Sequence, residues 1–335
     1  MEIMESRNTT LTTRGELHTH SPQDRKAVNT LDELLGQVEE KTSACFVTYP
    51  LTNLIPEIVA DENMERSFKR VMSNLHNADT RNGLRWRETI VIDGVECTPR
   101  MVRYMKRKAD IIAMLKEQIT HGTFRIKHLK SFETADGPKI RTVQAPSVIE
   151  RVGSNAIMEI VEKHLAPILI ENTAASIEGR GPHGLYHKMQ EARRNNPKLI
   201  YYYQSDYKGY YDHILHDRLI EIIKRYIADP VLLPILIDFV KALHPNDNVG
   251  ISKGLRSSQF FGNLYHSDID HAMVEECGKD NYNRFCDDIY ILGDNKKELW
   301  KHRDTLHRLS KPYNLIIKPS EKVAPISAGM DALGF

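Results

Sequence analysis

The stretch Arg284-Phe-Cys-Asp-Asp-Ile-Tyr-Ile-Leu292 decides the fold of this chain. Two adjacent carboxylates, Asp287 and Asp288, lie between two apolar runs. Because strand-forming residues flank them on both sides, the stretch predicts a β-hairpin with the two acids at its tip. Adjacent like charges repel each other, and a bound divalent cation would relieve that repulsion. Paired aspartates also occur in ordinary polar turns, so the hairpin alone leaves both interpretations open.

A third acid, Asp206, directly follows a predicted strand at 199–205. Helices predicted at about 215–228, 230–243 and 259–276 separate this strand from the hairpin. Strand-terminal acids separated by helices can converge on one end of a sheet and hold two Mg²⁺ ions for in-line phosphoryl transfer. The pattern predicts an α+β fold with an antiparallel sheet packed on helices. Its catalytic residues would be Asp206, Asp287 and Asp288.

The remaining elements are predicted from apolar spacing and from turn residues. Helical spacing indicates helices over 30–42, 61–78, 99–120, 154–170, 184–195 and 296–311. Short strands are predicted around an Asp93-Gly94 turn, at 314–318, and near 330–335. Residues 1–25 are polar and unpatterned, which predicts a disordered tail.

Composition excludes several classes of protein. The chain has 335 residues and a net charge of +1, with Lys and Arg in excess between residues 81 and 200. A basic block beside an acidic remainder fits a surface that binds a polyanion. Four scattered cysteines without a CxxC pair argue against a disulfide framework and a zinc finger. No apolar run approaches membrane-spanning length and the N-terminus lacks the apolar region of a signal peptide, so we expect a cytoplasmic protein without membrane contact.

Several motifs together resemble bacterial reverse transcriptases, the group that includes group II intron, retron and diversity-generating retroelement enzymes. They are Asp206-Tyr-Lys-Gly-Tyr-Tyr211, the loop Gly254…Ser258-Gln259, and Phe285-Cys-Asp-Asp288, in the order of that family's palm. Further support comes from Lys139-Ile-Arg141, Glu150-Arg151, Gly179-Arg-Gly-Pro-His183 and Ala332-Leu-Gly-Phe335. The resemblance covers roughly residues 60–335.

Within that family the motifs are most similar to the diversity-generating branch. Ser258-Gln259 stands where most bacterial members carry Ser-Pro, and the stretch Glu321-Lys-Val-Ala-Pro-Ile-Ser327 is similar to that branch as well. Lys253 departs from the pattern because the branch usually has an aliphatic residue there, which puts its adenine-directed infidelity in doubt. Phe285-Cys286 replaces the commoner Tyr-Ala or Tyr-Met, a conservative change.

The resemblance implies an RNA-directed DNA polymerase that adds dNTPs to a primer 3′-hydroxyl on an RNA template. Its cofactor would be two Mg²⁺ ions, with Mn²⁺ able to substitute. The implied metal ligands are Asp206, Tyr207, Asp287 and Asp288. Residues implied to bind the dNTP are Lys139, Arg141, Tyr211, Lys253, Gly254, Gln259 and Lys322. Residues implied to bind nucleic acid are Arg151, Arg180 and His183.

Individual roles follow from the same resemblance. Lys139 and Arg141 would reach the triphosphate, and Tyr211 would lie under the sugar and exclude a 2′-hydroxyl. Lys253 and Gly254 would line the templating base pair. Lys322 would be a mobile cation that protonates departing pyrophosphate.

The implied architecture is a right-handed polymerase. After the tail at 1–25, residues 26–120 would form a helical extension and the start of the fingers, 121–198 the fingers, and 199–335 the palm. A thumb would be absent from this chain, so we expect a thumb-supplying partner or a basic accessory protein, besides an RNA template and a DNA or RNA primer. Two alternatives stay open: a phage-defence reverse transcriptase with untemplated or protein-primed synthesis, and a binding scaffold with a relic palm.

Overall fold

A computed structural model of the chain describes residues 49–84, 90–136 and 139–330, without the side chains of 135, 136, 139 and 141. The chain divides into two compact units, Met1–Thr42 and Ser43–Phe335, and everything described below belongs to the second unit. The predicted tail at 1–25, the predicted helix at 30–42 and the predicted strand after residue 330 lie outside the described residues. Within the described residues, no helix has the length and apolar character that a membrane-crossing segment needs.

The described helices are α1 Ile55–Ile58, α2 Asp61–Arg81, α3 Pro99–Met105, α4 Lys108–Thr120, α5 Val148–Leu165, α6 Pro182–Asn195, α7 Tyr210–His213, α8 His216–Tyr226, α9 Leu232–Lys241, α10 Arg256–Cys277 and α11 Lys296–Ser310. Short 3-10 turns lie at Ala166–Ile168, Lys311–Tyr313 and Ile326–Ala328. The strands are β1 Ile90–Ile92, β2 Val95–Cys97, β3 Lys130–Asp136, β4 Lys139–Ala145, β5 Tyr201–Asp206, β6 Tyr282–Phe285, β7 Asp288–Gly293 and β8 Lys322–Pro325. The mixture of helices and antiparallel sheets confirms the predicted α+β class.

A four-stranded antiparallel sheet, in the order β6-β7-β5-β8, packs against α6 and α11. Its central strands are rich in tyrosine and isoleucine, which favour a pleated and buried surface. Alternate residues of a strand point to opposite faces, so the neighbours Tyr202 and Tyr203 are both buried, one on each side. Tyr202 packs with Met189 of α6, whereas the hydroxyl of Tyr203 bonds to Glu321 near α11.

Two separate hairpins, β1–β2 and β3–β4, stand apart from this sheet. The Asp93-Gly94 turn of the first has φ angles of 51° and 74°, the left-handed values that a tight two-residue hairpin requires. This confirms the turn predicted from the sequence. The second hairpin pairs β3 with β4 from Lys130↔Ala145 to Asp136↔Lys139.

Two predicted helices differ most from the observed ones. The helix predicted at 99–120 is divided into α3 and α4, because the N–H of Arg107 bonds back three residues to Tyr104 and its φ of −115° leaves the helix. The helix predicted at 154–170 begins earlier, at Val148. Ser147 and Glu150 form a reciprocal capping box, each side chain bonded to the other's main-chain N–H, and this fixes the start.

The sequence predicts a strand at 314–318, whereas the edge strand of the central sheet is β8, which was not predicted. Residues 314–318 make only an isolated bridge, Ile317 to Tyr207, and the strand lies instead at β8. The reason is that β8 pairs with residues 201–204 of β5, so the earlier segment can pair only beyond the end of β5. The N–H of Lys208 donates to the carbonyl of Ile316 there, at 2.7 Å.

Candidate active site

The three predicted catalytic acids lie at one end of the central sheet. Register pairs Asp206 with Asp288 across β5 and β7, and residues directly opposite in an antiparallel pair share a face. The β6–β7 register pairs Phe285 with Asp288, which leaves Cys286 and Asp287 as a two-residue turn. Cys286 has a φ of 57°, so the turn is tight. The hairpin predicted from the sequence is confirmed, with all three acids half-buried.

A lysine that sequence reasoning missed, Lys318, contacts Asp206. The ammonium of Lys318 forms an ion pair with the carboxylate of Asp206, and its N–H donates to the Asp206 carbonyl at 2.9 Å. The hydrogen bond to Asp206 and the charges of Asp206, Asp287 and Asp288 raise the pKa of Lys318 above its usual value, against the opposing effect of partial burial. All three carboxylates therefore act on one cation. Nothing local in the sequence around Lys318 signals this, because its place depends on the pairing of 316–318 with 206–208.

The donor chemistry of this end of the sheet suits a hard divalent cation. Carboxylate oxygens are the ligands that such ions prefer, and the acids already stabilise one positive charge, that of Lys318. Across the described ranges, however, no group of three or more His, Cys, Asp or Glu side chains is assembled so that it could hold a metal ion. The acids fit such an ion by type and by their common position.

Tyr207 follows Asp206, but its phenol points into the interior. Its hydroxyl lies 2.9 Å from Nε2 of His266 and 2.7 Å from Oγ of Ser310, and burial raises its pKa. The predicted metal contact of Tyr207 would therefore have to come from its main-chain carbonyl oxygen rather than from its side chain.

Tyr211 lies next to the turn that carries Asp287. Its hydroxyl is 3.3 Å from the Sγ of Cys286, and its ring faces Gly262, where an added Cβ would come within 3.2 Å of it. Burial, followed by the charge of Cys286 and its hydrogen bond, raises the pKa of Tyr211. The structure thus brings the predicted sugar-contacting residue to the acids.

The loop before α10 contacts the β3–β4 hairpin. The side-chain oxygen of Gln144, on β4, lies 3.2 Å from the N–H of Lys253 and 3.3 Å from Oγ of Ser252, and both donate to it. A Cβ on Gly254 would stand 1.7 Å from the carbonyl oxygen of Gln144, so only glycine fits there. The ammonium of Lys253 pairs with Asp212 at 2.8 Å. Gln144 is a second residue that sequence reasoning missed.

The other predicted dNTP-binding residues are spread over several elements. Lys139 and Arg141 are two residues apart on β4 and so share one face of that hairpin, but their side chains lie outside the described part. Gln259 is exposed in the first turn of α10, which begins at Arg256 rather than at the predicted 259. Lys322 is exposed on β8 opposite Gln204, with its ammonium 5.7 Å from the centre of the Tyr202 ring.

The predicted nucleic-acid-binding residues differ in their surroundings. Arg180 donates to the main-chain carbonyls of Ile170 and Thr173 at 2.7 and 3.1 Å, which gives its guanidinium a structural role. Arg151 is half-buried on α5, and burial and the charge of Arg100 lower its pKa. His183 is exposed at the start of α6.

The chain matches a known protein family. Residues 134–335 match the family model described as reverse transcriptase (RNA-dependent DNA polymerase). A comparison with curated proteins finds no match. The matched range contains β4, the loop before α10 and all three acids, and it spans more than half of the chain. The chain belongs to the reverse transcriptase family, and it is an RNA-directed DNA polymerase.

Proposed function

We propose that this polymerase extends a primer 3′-hydroxyl with dNTPs at the sheet end formed by Asp206, Asp287 and Asp288. The observation that carries the proposal is the strand register, which pairs Asp206 with Asp288 and leaves Asp287 in the adjoining turn. A binding scaffold would gain nothing from three acids that repel one another at one place. The family implies a nucleic-acid template and primer together with nucleotide substrates.

Reverse transcriptases generally use divalent metal ions, and the proposed cofactor is Mg²⁺. Asp206 and Asp287 would hold two ions, with Asp288 beside them and the carbonyl oxygen of Tyr207 as a further donor. When bound, the ions would lower the pKa of the primer hydroxyl and stabilise the charge on the leaving pyrophosphate. The ion pair between Lys318 and Asp206 would have to open for the Asp206 carboxylate to hold an ion.

The residues around the acids would select and orient the nucleotide. Tyr211 would lie under the sugar, because its hydroxyl reaches the turn that carries Asp287. Lys253 and Gly254 would line the templating pair from the loop held by Gln144. Lys139 and Arg141 would approach the triphosphate from β4, since Arg offers a planar fork that matches phosphate oxygens.

These positions support the proposed architecture. The central sheet with its helices would be the palm, within 199–335, and the β3–β4 hairpin with α5 and α6 would belong to the fingers, within 121–198. Residues 49–120 would contribute the helical extension and the start of the fingers.

We further propose that the enzyme belongs to a bacterial retroelement of the diversity-generating type. The support is the Ser258-Gln259 motif, which lies in the first turn of α10 directly after the loop that contains Lys253 and Gly254. Lys253, with its ion pair to Asp212, sets this chain apart from the usual aliphatic pattern.

Replacing Asp287 with Asn tests the catalytic proposal. The change keeps the side-chain size but removes the charge from the turn. We expect loss of Mg²⁺-dependent dNTP incorporation on a primed RNA template by at least about a thousandfold, as befits a metal ligand. The matched control is Asp294→Asn, an exposed residue just past the other end of β7, which should keep wild-type activity. Full activity in Asp287→Asn would refute the proposed mechanism.

Sequencing the products made from a defined RNA template, with and without added primer, tests the retroelement type. Errors concentrated at template adenines would support the diversity-generating assignment. Untemplated homopolymers made without a primer would instead support a phage-defence enzyme.

A further inference from the structure

Arg284, on β6 two residues before the catalytic turn, is fully buried. Its guanidinium donates to the carboxylate of Asp270 on α10, with Nε 2.9 Å from Oδ1 and Nη2 2.7 Å from Oδ2. Its Nη1 donates at 2.8 Å to the carbonyl oxygen of Cys286 and at 3.1 Å to Oδ1 of Asn263. A buried guanidinium is costly unless its donors are satisfied, and here every nitrogen has an acceptor. One of these acceptors belongs to the turn that carries Asp287.

Asp270 extends the same network toward the other strand end. Its Oδ1 lies 2.9 Å from Nδ1 of His266 and 2.9 Å from the hydroxyl of Tyr282. Because an ionised carboxylate only accepts hydrogen bonds, Nδ1 of His266 carries the hydrogen. Nε2 of the same ring lies 2.9 Å from the hydroxyl of Tyr207, the residue after Asp206. The side chains of Asp270 and His266 are wholly buried.

One buried polar cluster therefore contacts both chain segments that bear the acids. One arm runs from Arg284 to the carbonyl of Cys286, next to Asp287. The other arm runs from Asp270 through His266 to Tyr207, next to Asp206. Charged hydrogen bonds inside a protein are strong and directional, so they hold the segments that they join in fixed positions.

We propose that the Arg284–Asp270 pair is a positioning unit that sets the relative placement of Asp206 and Asp287 for metal binding. The inference rests on the proposed function, since it assumes that these two acids hold the metal. Partners behind the ligands of a metal site typically change metal affinity by about 10- to 100-fold when they are mutated.

The chain offers a matched control pair on the same helix. The carboxylate of Asp268 on α10 accepts two hydrogen bonds from the guanidinium of Arg225 on α8, in the same bidentate geometry, at 3.1 and 2.7 Å. It is also almost wholly buried and accepts from the hydroxyl of Tyr313 at 2.7 Å. This pair joins α8 to α10 and leads to Tyr313 rather than to the acids, so its loss should lower stability without changing the metal site.

The test compares Arg284→Lys with Arg225→Lys in the full chain. Lysine keeps the charge but cannot make the planar fork of arginine. The measurements are Mn²⁺ affinity by electron paramagnetic resonance without nucleic acid, stability in urea, and the KM for dNTP separated from kcat. We expect both variants to lose stability. Only Arg284→Lys should weaken Mn²⁺ binding, by about tenfold or more, and lower kcat at fixed Mg²⁺ with little change in KM.

Wild-type Mn²⁺ affinity in Arg284→Lys, or an equal loss in Arg225→Lys, would overturn the proposal.

Should Arg284→Lys not fold, Tyr207→Phe decides the matter, because it removes only the hydroxyl that His266 contacts. We expect a several-fold loss of Mn²⁺ affinity in Tyr207→Phe, and wild-type affinity there would contradict the proposal. Asp287→Asn distinguishes failure of the proposed function from failure of the positioning role of the Arg284–Asp270 pair. If it keeps both Mn²⁺ binding and activity, the proposed function itself fails; if it loses both while Arg284→Lys loses neither, only this inference fails.

Discussion

Tyr211 contacts the turn that carries Asp287 through the Sγ of Cys286, and its ring packs on Gly262 and on the ring of Tyr210. Its hydroxyl is 3.3 Å from Sγ of Cys286, and in the proposed role the ring would be the part of the residue that meets a sugar. Gly262 leaves room for the ring, since an added Cβ there would lie 3.2 Å from it. The fit predicts that the bulk of the ring, rather than its hydroxyl, selects the sugar.

Replacing Tyr211 with Ala should admit ribonucleotides. We expect the ratio of rNTP to dNTP incorporation efficiency to rise by about tenfold or more, because the steric barrier to a 2′-hydroxyl is removed. Tyr211→Phe is the control, since it keeps the ring and loses only the hydroxyl, and its ratio should stay near the wild-type value. Single-nucleotide incorporation kinetics measure both. Unchanged sugar selection in Tyr211→Ala would remove the assignment.

Lys318 forms an ion pair with Asp206 and is also acted on by the charges of Asp287 and Asp288. Replacing it with Met should lower the melting temperature in EDTA by a few degrees, because three carboxylates then lose the charge that offsets their repulsion. The same change should tighten Mn²⁺ binding, since no ammonium has to be displaced. Lys322→Met is the control, since the sequence predicts Lys322 as the cation that acts on pyrophosphate. It should change neither the melting temperature nor the Mn²⁺ affinity. Wild-type melting and affinity in Lys318→Met would contradict this view.

At the scale of elements, Glu321 joins α11 to the edge of the sheet. Its carboxylate accepts from Arg303 at 2.7 Å, from Nε2 of His307 at 2.9 Å and from the hydroxyl of Tyr203 at 2.7 Å. Partial burial would raise the pKa of Glu321, but these hydrogen bonds lower it from 4.5 to about 2. Because the folded pKa lies below the unfolded one, ionised Glu321 stabilises the fold above about pH 4.5, and this contribution is lost as the pH falls toward 2.

Replacing Glu321 with Gln should therefore make the free energy of unfolding depend less on pH in the acid range. We expect the wild-type free energy of unfolding, measured in urea, to fall between about pH 5 and pH 3. Glu321→Gln should be less stable than wild type at pH 5, with a smaller difference at pH 3. The exposed Glu275→Gln is the control and should follow the wild-type curve. A constant difference between Glu321→Gln and wild type across this range would contradict the linkage.

Elements with a strong local signal were predicted well, and those decided by distant contacts were not. The hairpin that carries Asp287 and Asp288 could be predicted because apolar runs on both sides of these acids favour strands. The start of α5 has a local signal in the sequence, the Ser147…Glu150 capping box. Because the prediction used apolar spacing alone, it placed the start of this helix too late. The division between α3 and α4 has neither glycine nor proline to mark it. The edge strand β8 exists only because β5 offers an edge to pair with.

The same distinction holds for the site. The three acids each follow or interrupt a strand, so their convergence could be predicted. Lys318 and Arg284 could not be assigned, because the position of Lys318 depends on a bridge between 317 and 207, and that of Arg284 on an acid in a distant helix turn. Contacts between elements, rather than residue type, decide both positions.

At the scale of the whole molecule, the excess of cations between residues 81 and 200 supports contact with a nucleic-acid backbone. Part of that excess is already neutralised, since Arg100 pairs with Asp79 and Lys108 with Glu65. Lys106 and Arg107, at the division between α3 and α4, are exposed. Exposed cations of this kind release counterions when they meet phosphates, which makes binding depend on salt.

Replacing both Lys106 and Arg107 with Gln should weaken RNA binding and reduce its salt dependence. We expect the slope of log Kd against log salt concentration to fall by about one to two. Fluorescence anisotropy with a labelled RNA at several salt concentrations measures the slope. Lys301→Gln, an exposed cation on α11, is the control and should leave it unchanged. An unaltered slope in the double variant would exclude this surface from the RNA path.

The contact between Gly254 and Gln144 has a consequence for motion. The carbonyl of Gln144 fills the space of a Cβ at 254, and its side-chain oxygen accepts from two groups of the same loop. Gln144 lies on the strand that carries Lys139 and Arg141. A movement of that hairpin toward an incoming triphosphate would therefore move the loop that contains Lys253 and Gly254 as well. Binding of the nucleotide and rearrangement of this loop, which would line the templating base pair, would then occur together as one motion.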